Sequence, residues 1–318
     1  MKKILITGSL GQIGSELTLK LRKEYGINNI ISTDIREINN EITKDGIFET
    51  LDVLDVDKIF EISKKYNVDT IIHLAALLSA NGEKNPKNTW DINMGSVLNC
   101  LEVSRELNVK LFVPSSIAVF GNNTPKDNTP QNTIMRPNTM YGITKVSGEM
   151  LCDYYFQKFG VDTRGLRFPG LISYMTLPGG GTTDYAVDIY YKAIEDKKYN
   201  CYIDENTYMD MMYMPDALNA IVNLMESPKD KLINRNAYNI SSMSFSPKEI
   251  YLEIKKHIKD FEIFYDVDPI RQNIANSWPN SIDSSCAEKE WGFKFDYNLE
   301  TMTLDMINRI SKKLNKES

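Results

Sequence analysis

Through the first half of the chain, short apolar runs alternate with longer stretches whose apolar positions recur every three or four residues. The short runs read as strands of a parallel sheet and the longer stretches as its crossover helices. Strands are expected at Lys3–Thr7, Ile30–Thr33, Phe48–Leu51, Thr70–Leu74, Lys110–Pro114 and Thr163–Phe168. Helices are expected over Ile13–Tyr25, Val56–Tyr66, Thr89–Leu107 and Thr139–Phe159. That rhythm predicts an α/β, doubly wound sheet. After Pro169 it breaks into irregular polar stretches, with helices expected at Thr183–Glu195, Pro215–Glu226 and Pro247–His257. We read this part as a smaller, mixed α/β lobe over the carboxyl ends of the sheet. Residues 1–170 then form one domain and 171–318 the lobe, interleaved with it where segments return to the sheet. The Lys-rich last residues read as a frayed helix end.

Composition narrows the class. The 318 residues, 42% hydrophobic and 25% charged, suit one large or two modest globular domains. A net charge of −6 with scattered basic residues argues against a nucleic-acid or membrane surface. No stretch approaches the roughly 20 apolar residues of a membrane span. Met1-Lys2-Lys3-Ile4-Leu5-Ile6-Thr7-Gly8 runs straight into a strand and a turn, unlike a signal peptide. Cys100, Cys152, Cys201 and Cys286 are far apart and read as reduced thiols, so a cytoplasmic location is expected. His73 and His257 are the only histidines, and no Cys/His cluster has metal spacing, so no metal is expected.

Thr7-Gly8-Ser9-Leu10-Gly11-Gln12-Ile13-Gly14 follows a predicted strand and opens a predicted helix, the context of a Rossmann dinucleotide loop. Gly8 permits the turn, Gly11 lets backbone N–H groups approach a pyrophosphate, and Gly14 lets helix pack on strand. The helix N-terminus, at Gln12 and Ile13, then faces the phosphates. Asp34 ends the second strand 20 residues after Gly14, where a carboxylate accepts bonds from a ribose diol and repels a 2′-phosphate. This favours NAD, although Arg36 is a guanidinium that suits the same phosphate. Asp52-Val53 stands where the adenine is expected, or else Asp52 caps the next helix. His73-Leu74-Ala75-Ala76 ends the fourth strand, and its small residues let a cofactor lie against the backbone. His73 itself reads as a packed, hydrogen-bonded side chain.

Tyr141-Gly142-Ile143-Thr144-Lys145 carries the candidate chemistry. Four residues apart on a helix, the two side chains share a face. Ionising a phenol at pH 7 asks for about 3 pK units, roughly 4 kcal/mol. An ammonium about 4 Å away supplies energy of that order at an effective dielectric of about 20, and an oxidised nicotinamide adds a second positive charge. Ser115-Ser116 leaves the fifth strand 25 residues before Tyr141, and the Ser116 hydroxyl is suited to hold the substrate oxygen.

With Asn93 on the preceding helix, these motifs resemble the extended short-chain dehydrogenase/reductase superfamily. The likeness rests on the glycines at 8, 11 and 14, His73-Leu74-Ala75-Ala76, Ser116-Ile117-Ala118-Val119-Phe120-Gly121, the Tyr141/Lys145 pair and Arg167-Phe168-Pro169-Gly170. A second resemblance spans the whole chain. Ser79-Ala80-Asn81-Gly82-Glu83, Pro178-Gly179-Gly180-Gly181-Thr182-Thr183-Asp184, Met211-Met212-Tyr213-Met214 and Arg271-Gln272 with Ser277-Trp278-Pro279 look like the short-chain-type L-threonine 3-dehydrogenases. Asn276 and Ser284 depart from that pattern, where Asp is expected.

The resemblance implies NAD-dependent oxidation of L-threonine at C3 to 2-amino-3-oxobutanoate. It makes Tyr141 the general base, has Ser116 bonded to the reacting oxygen, Lys145 on the nicotinamide ribose, and Leu171 and Ser115 beside the cofactor. Gly179–Gly181 offers N–H groups to the carboxylate, Thr182 and Ser79 hydroxyls, Asp184 a partner for the ammonium, and Trp278 a cover for the methyl group. A flexible glycine loop, N-capping residues and a core Trp are the bland counterparts of these assignments. A homodimer pairing helices Thr89–Leu107 and Thr139–Phe159 into a four-helix interface is also implied. Two rivals remain: a nucleotide-sugar epimerase or dehydratase with the same triad, and a non-catalytic NAD-binding scaffold or sensor.

Overall fold

Ile4–Thr7 (β1), Ile30–Asp34 (β2), Ile47–Thr50 (β3), Thr70–His73 (β4) and Lys110–Phe112 (β5) are the first five strands of a computed structural model that describes residues 1–175 and 181–317. Ser115–Ser116 (β6), Thr163–Arg164 (β7), Leu166–Phe168 (β8) and Gly170–Ile172 (β9) follow. The main sheet is parallel, in the order β3-β2-β1-β4-β5-β7.

Alternate side chains leave a strand on opposite faces, and here both faces are buried. Ile4, Ile6, Ile30, Ile72 and Phe112 point into one core, and Leu5, Ile31, Ile71 and Leu111 into the other. Gln12–Tyr25 (α1) covers the first face. After the short Glu41–Lys44 (α2), Val56–Lys65 (α3) covers the second. Beyond the single turn Ser79–Gly82 (α4), so do Pro86–Leu107 (α5) and Met140–Phe159 (α6). α5 starts a turn earlier than expected because Asn85 caps it through Asn88 N–H and Pro86 occupies its first position.

Two strands expected as single pieces are interrupted. Pro114 has no N–H to continue the ladder, so Lys110–Pro114 ends at Phe112 and pairing resumes at Ser115. Across from it the chain turns at Gly165, whose N–H donates to Arg235 O and whose carbonyl accepts from Tyr238 N–H. This brings Tyr238–Asn239 alongside β8 as a parallel neighbour.

Beyond β9 follow Tyr185–Glu195 (α7), Met214–Glu226 (α8), Pro247–His257 (α9), Pro269–Ser277 (α10), Ser285–Trp291 (α11) and Leu299–Glu317 (α12). α9 is legible in sequence through its Ser246/Glu249 capping box and Pro247. Thr182–Asp184 forms a 3₁₀ turn before α7, so the helix begins two residues later than expected. α12 is anchored as far as Ile310: Met302, Thr303, Met306 and Ile310 are fully buried against the lobe. α8 does not stay with the lobe. Met214, Ala217, Ile221 and Leu224 join Ile4, Leu17 and Leu21 in the core beside α1. The lobe core in turn takes in Ile117–Phe120, which seats the turn after Ser116 at the seam between the two parts.

Candidate active site

The glycine loop has no room for side chains. Gly8 sits at φ +70°, and a Cβ there meets Ala75 N at 2.7 Å. A Cβ on Gly14 lies 2.2 Å from the Gly8 carbonyl. The strand can therefore hand over to α1 at this sharp angle only with glycine. Gly11 caps α1 without a side chain, no acidic residue stands in the first turn, and the positive end of the helix opens into a cleft. That arrangement fits a dinucleotide pyrophosphate.

At the far end of the loop Asp34 is 5% exposed and accepts bonds from Leu10 N–H (3.1 Å) and Arg36 N–H (3.1 Å). The Arg36 guanidinium grips the same carboxylate at 2.9 and 3.2 Å. Burial works against ionisation, but these partners outweigh it and hold the carboxyl below its usual range. Arg36 is thus committed to Asp34, and a 2′-phosphate would have to displace that carboxylate. Asp52 is exposed and braces its own turn by accepting from Leu54 N–H (2.9 Å), while Asp55 is the residue that caps α3. Val53 is buried, and its carbonyl accepts from Asn99. Asn93 spends its amide on the backbone of Leu77, at 2.8 and 3.1 Å, and on Thr144 at 3.2 Å. His73 is neutral: burial, with Lys145 adding to it, pushes it down to about 3 between Thr7 and Ser96.

One cleft, with about 1140 Å³ of empty space, collects the rest. Gly8, Gly11, Gln12, Ile13, Gly14, Leu74 and Ala76 line it. Ser115, Ser116, Tyr141, Lys145 and Leu171 line the same cleft, as do Ser79, Thr182, Asp184 and Trp278. Ala75 and Asn93 belong to a smaller pocket behind Lys145. Gly180, with Pro178 and Gly179, lies outside the described residues.

Thr139 caps α6 through Gly142 N–H, which places Tyr141 in the first turn and Lys145 one turn on. The Ser116 hydroxyl bonds to the phenol. Lys145 Nζ donates to Pro114 O at 2.8 Å and stands 5.4 Å from the centre of the Tyr141 ring. The sequence led us to expect a phenol lowered by its lysine. Burial instead pushes Tyr141 up to about 12, with only the Ser116 bond opposing it. Burial also pushes Lys145 down to about 8 against the pull of Glu149 and Cys152. With the protein's own groups the phenol stays protonated near neutral pH, because burial raises it and only the Ser116 bond acts against that.

Beneath this pair is a network the sequence did not announce. Glu149, one turn beyond Lys145, accepts from Ser115 Oγ and from Arg167 at 2.8 and 2.9 Å. Arg167 also donates to Gln131 O and Asn239 Oδ1. Both ions are buried, so each depends on the other. The one legible signal was the four-residue spacing from Lys145 to Glu149. On the lobe side, Gly181 N–H donates to Asp184 Oδ2 at 2.6 Å, so that amide is already engaged. Thr182 and Trp278 are buried at the cleft wall. Among the described residues no group of three or more His, Cys, Asp or Glu could hold a metal ion, and no helix is long and apolar enough to cross a membrane.

The curated and solved relatives agree with this geometry over nearly the full length. A solved L-threonine dehydrogenase from Clostridium difficile is 65% identical, covers 98% of each chain and superposes with a TM-score of 0.97. One from Phytophthora infestans is 46% identical, over 98% of this chain and 100% of that one, with a TM-score of 0.95. An uncharacterized epimerase/dehydratase of Staphylococcus saprophyticus is 57% identical over 98% of both chains. The family model of NAD-dependent epimerases and dehydratases matches residues 4–241, from β1 to just past the Tyr238–Asn239 strand. Glycine cradle, Asp34 and the Tyr141/Lys145 pair all fall within that span, and the chain belongs to the NAD dependent epimerase/dehydratase family.

Proposed function

We infer that this enzyme oxidises L-threonine at C3 to L-2-amino-3-oxobutanoate with NAD. The observation that carries the reading is the single cleft lined together by the glycine loop, by Tyr141, Lys145 and Ser116, and by Thr182, Asp184 and Trp278. The small, mixed polar and apolar lobe side suits a zwitterion with one methyl group, and the activity named for the Clostridium and Phytophthora proteins supports it.

Gly11, Gln12, Ile13 and Gly14 hold the pyrophosphate, Asp34 a ribose diol, and Lys145 the second ribose. When bound, NAD supplies the hydride acceptor and a positive ring charge. Beside that positive ring charge the Tyr141 phenolate is favoured, the phenol's own proton passing to solvent. That phenolate then takes the proton of the C3 hydroxyl as the carbon is oxidised, with Ser116 donating to the oxygen as it becomes a carbonyl. Asp184 pairs with the substrate ammonium, while Thr182 and Ser79 donate to its carboxylate. Trp278 covers the methyl and excludes water. Purified protein given NAD and L-threonine should form NADH, and UDP-sugars should not replace threonine. Tyr141→Phe should lose at least about 10²-fold in kcat with NAD binding intact. Near-native turnover by that variant refutes the base assignment.

We also assign a homodimer through α5 and α6. Ile143, Met150 and Tyr154 form an exposed stripe on α6, and Trp90 and Leu98 are exposed on α5. Light scattering of the native chain and of Met150→Asp tests it: a native monomer overturns the assignment. Four unpaired cysteines and reliance on NAD support a cytoplasmic location.

A further inference from the structure

Trp278 follows a helix whose first turns are held by the Asp268 cap, by Gln272 bonded to Asp204 N–H and Thr207, and by Arg271 over the Tyr202 ring, and whose last turn is held from elsewhere. It follows the nine-residue α10 directly, in extended conformation, and its side chain forms part of the cleft wall. The last carbonyls of a helix have no partners within it. Here they are met from a distant segment: Lys126 Nζ donates to Asn276 O at 2.8 Å and to Trp278 O at 3.0 Å. An ammonium at this helix end also complements the dipole. The backbone of the same residue completes the clasp, since Lys126 O accepts from Asn280 N–H (2.8 Å) and Ser281 N–H (3.2 Å). Thr129 and Asn128 extend it: Thr129 N–H donates to Ser281 O, and Asn128 N–H donates to Ser281 Oγ. Lys126 lies in the strap that joins the 3₁₀ turn after Ser116 to the first turn of α6, which carries Tyr141. One stretch of chain therefore carries the reacting groups at its ends and grips the opposite wall of the cleft at its middle.

We propose that Lys126 is a positioning residue that sets Trp278 over the substrate, coupling the lobe wall of the cleft to the segment between Ser116 and Tyr141. The proposal rests on the reading that Trp278 covers the threonine methyl group. Lys126 touches neither substrate nor cofactor in it. Its effect is therefore on substrate affinity and on the mobility of one indole, with proton transfer left alone.

Lys126→Met and Lys126→Arg, in the full chain, test it in two ways. With saturating NAD, Lys126→Met should raise KM for L-threonine about five- to tenfold while kcat and NAD affinity change less than about twofold. Lys126→Arg should stay near the native KM, because a guanidinium presents several donors to the same two carbonyls. Acrylamide quenching of tryptophan emission reads the indole without turnover. Lys126→Met should increase quenching, and the increase should vanish when Trp278→Phe is also present, leaving Trp90 and Trp291 to report. An unchanged KM in a threonine-oxidising enzyme, or unchanged quenching, overturns the role of Lys126. A native chain that does not oxidise L-threonine overturns the substrate assignment instead, and the quenching comparison then decides on Lys126 alone.

Discussion

Glu16 offers a test of the electrostatics that is separate from catalysis. It lies on α1 with its carboxyl buried at 6% exposure and accepts the Ser173 hydroxyl just beyond β9. Burial raises it from 4.5 to about 7, with the Ser173 bond opposing the shift. A carboxyl raised by folding holds its proton more tightly in the native chain than in the unfolded one. Its share of stability is complete below about 4.5 and is lost as pH rises through about 7. The loss amounts to about 3 kcal/mol once the unfolded carboxylate is fully ionised. Glu16→Gln keeps the shape and an acceptor for Ser173 but cannot ionise, so it escapes that loss. For a chain of 318 residues the difference corresponds to a Tm gain on the order of 4 °C. Other shifted groups, such as Asp210 raised by burial to about 8, contribute equally to both proteins and cancel. Thermal unfolding followed by circular dichroism should show the variant within about 1 °C of native near pH 5 and clearly more stable near pH 8. A constant offset across that range, or a variant less stable at the alkaline end, refutes the reasoning.

Gly14→Ala puts a methyl 2.2 Å from the Gly8 carbonyl, and isothermal titration should show NAD affinity reduced by about tenfold or more. Arg167→Met strands Glu149 in the interior; denaturant melts should record a loss of about 3–5 kcal/mol, most of it recovered when Glu149→Met is added. Lys145, held down at about 8 chiefly by burial, is a cation facing an anionic dinucleotide. Its deprotonation should weaken NAD binding as pH rises through about 8, and Lys145→Met should bind more weakly with that inflection gone.

The layers were legible because their signals are local. A run such as Ile4–Thr7, apolar on both faces, can be buried only as an inner strand, and the Ser246/Glu249 box announces α9 within four residues. The glycine loop was equally plain, since the steric demand at Gly8 and Gly14 arises from a single turn. Breaks set by pairing were not legible. Pro114 interrupts a ladder only because its neighbour is β7, and α8 deserts the lobe because its apolar face completes the core beside α1.

Chemistry divides along the same line. The spacing of Tyr141 and Lys145 put both side chains on one helical face, and with the glycine loop and Ser116 it pointed to hydride chemistry on an alcohol. The protonation of that tyrosine was decided elsewhere, by how far the surrounding segments hold water off a side chain that is partly buried at the cleft. Asp34 was readable as a candidate carboxylate for a ribose, but its grip on Arg36 required the turn after β2 to fold back. Glu149, Arg167 and Ser115 come from three elements, and Lys126 and Trp278 stand more than a hundred residues apart in the chain. Residue types and short spacings set backbone conformation and candidate groups, since those depend on neighbours along the chain. Charge state, substrate fit and the clasp on Trp278 depend on neighbours in space, which packing alone supplies.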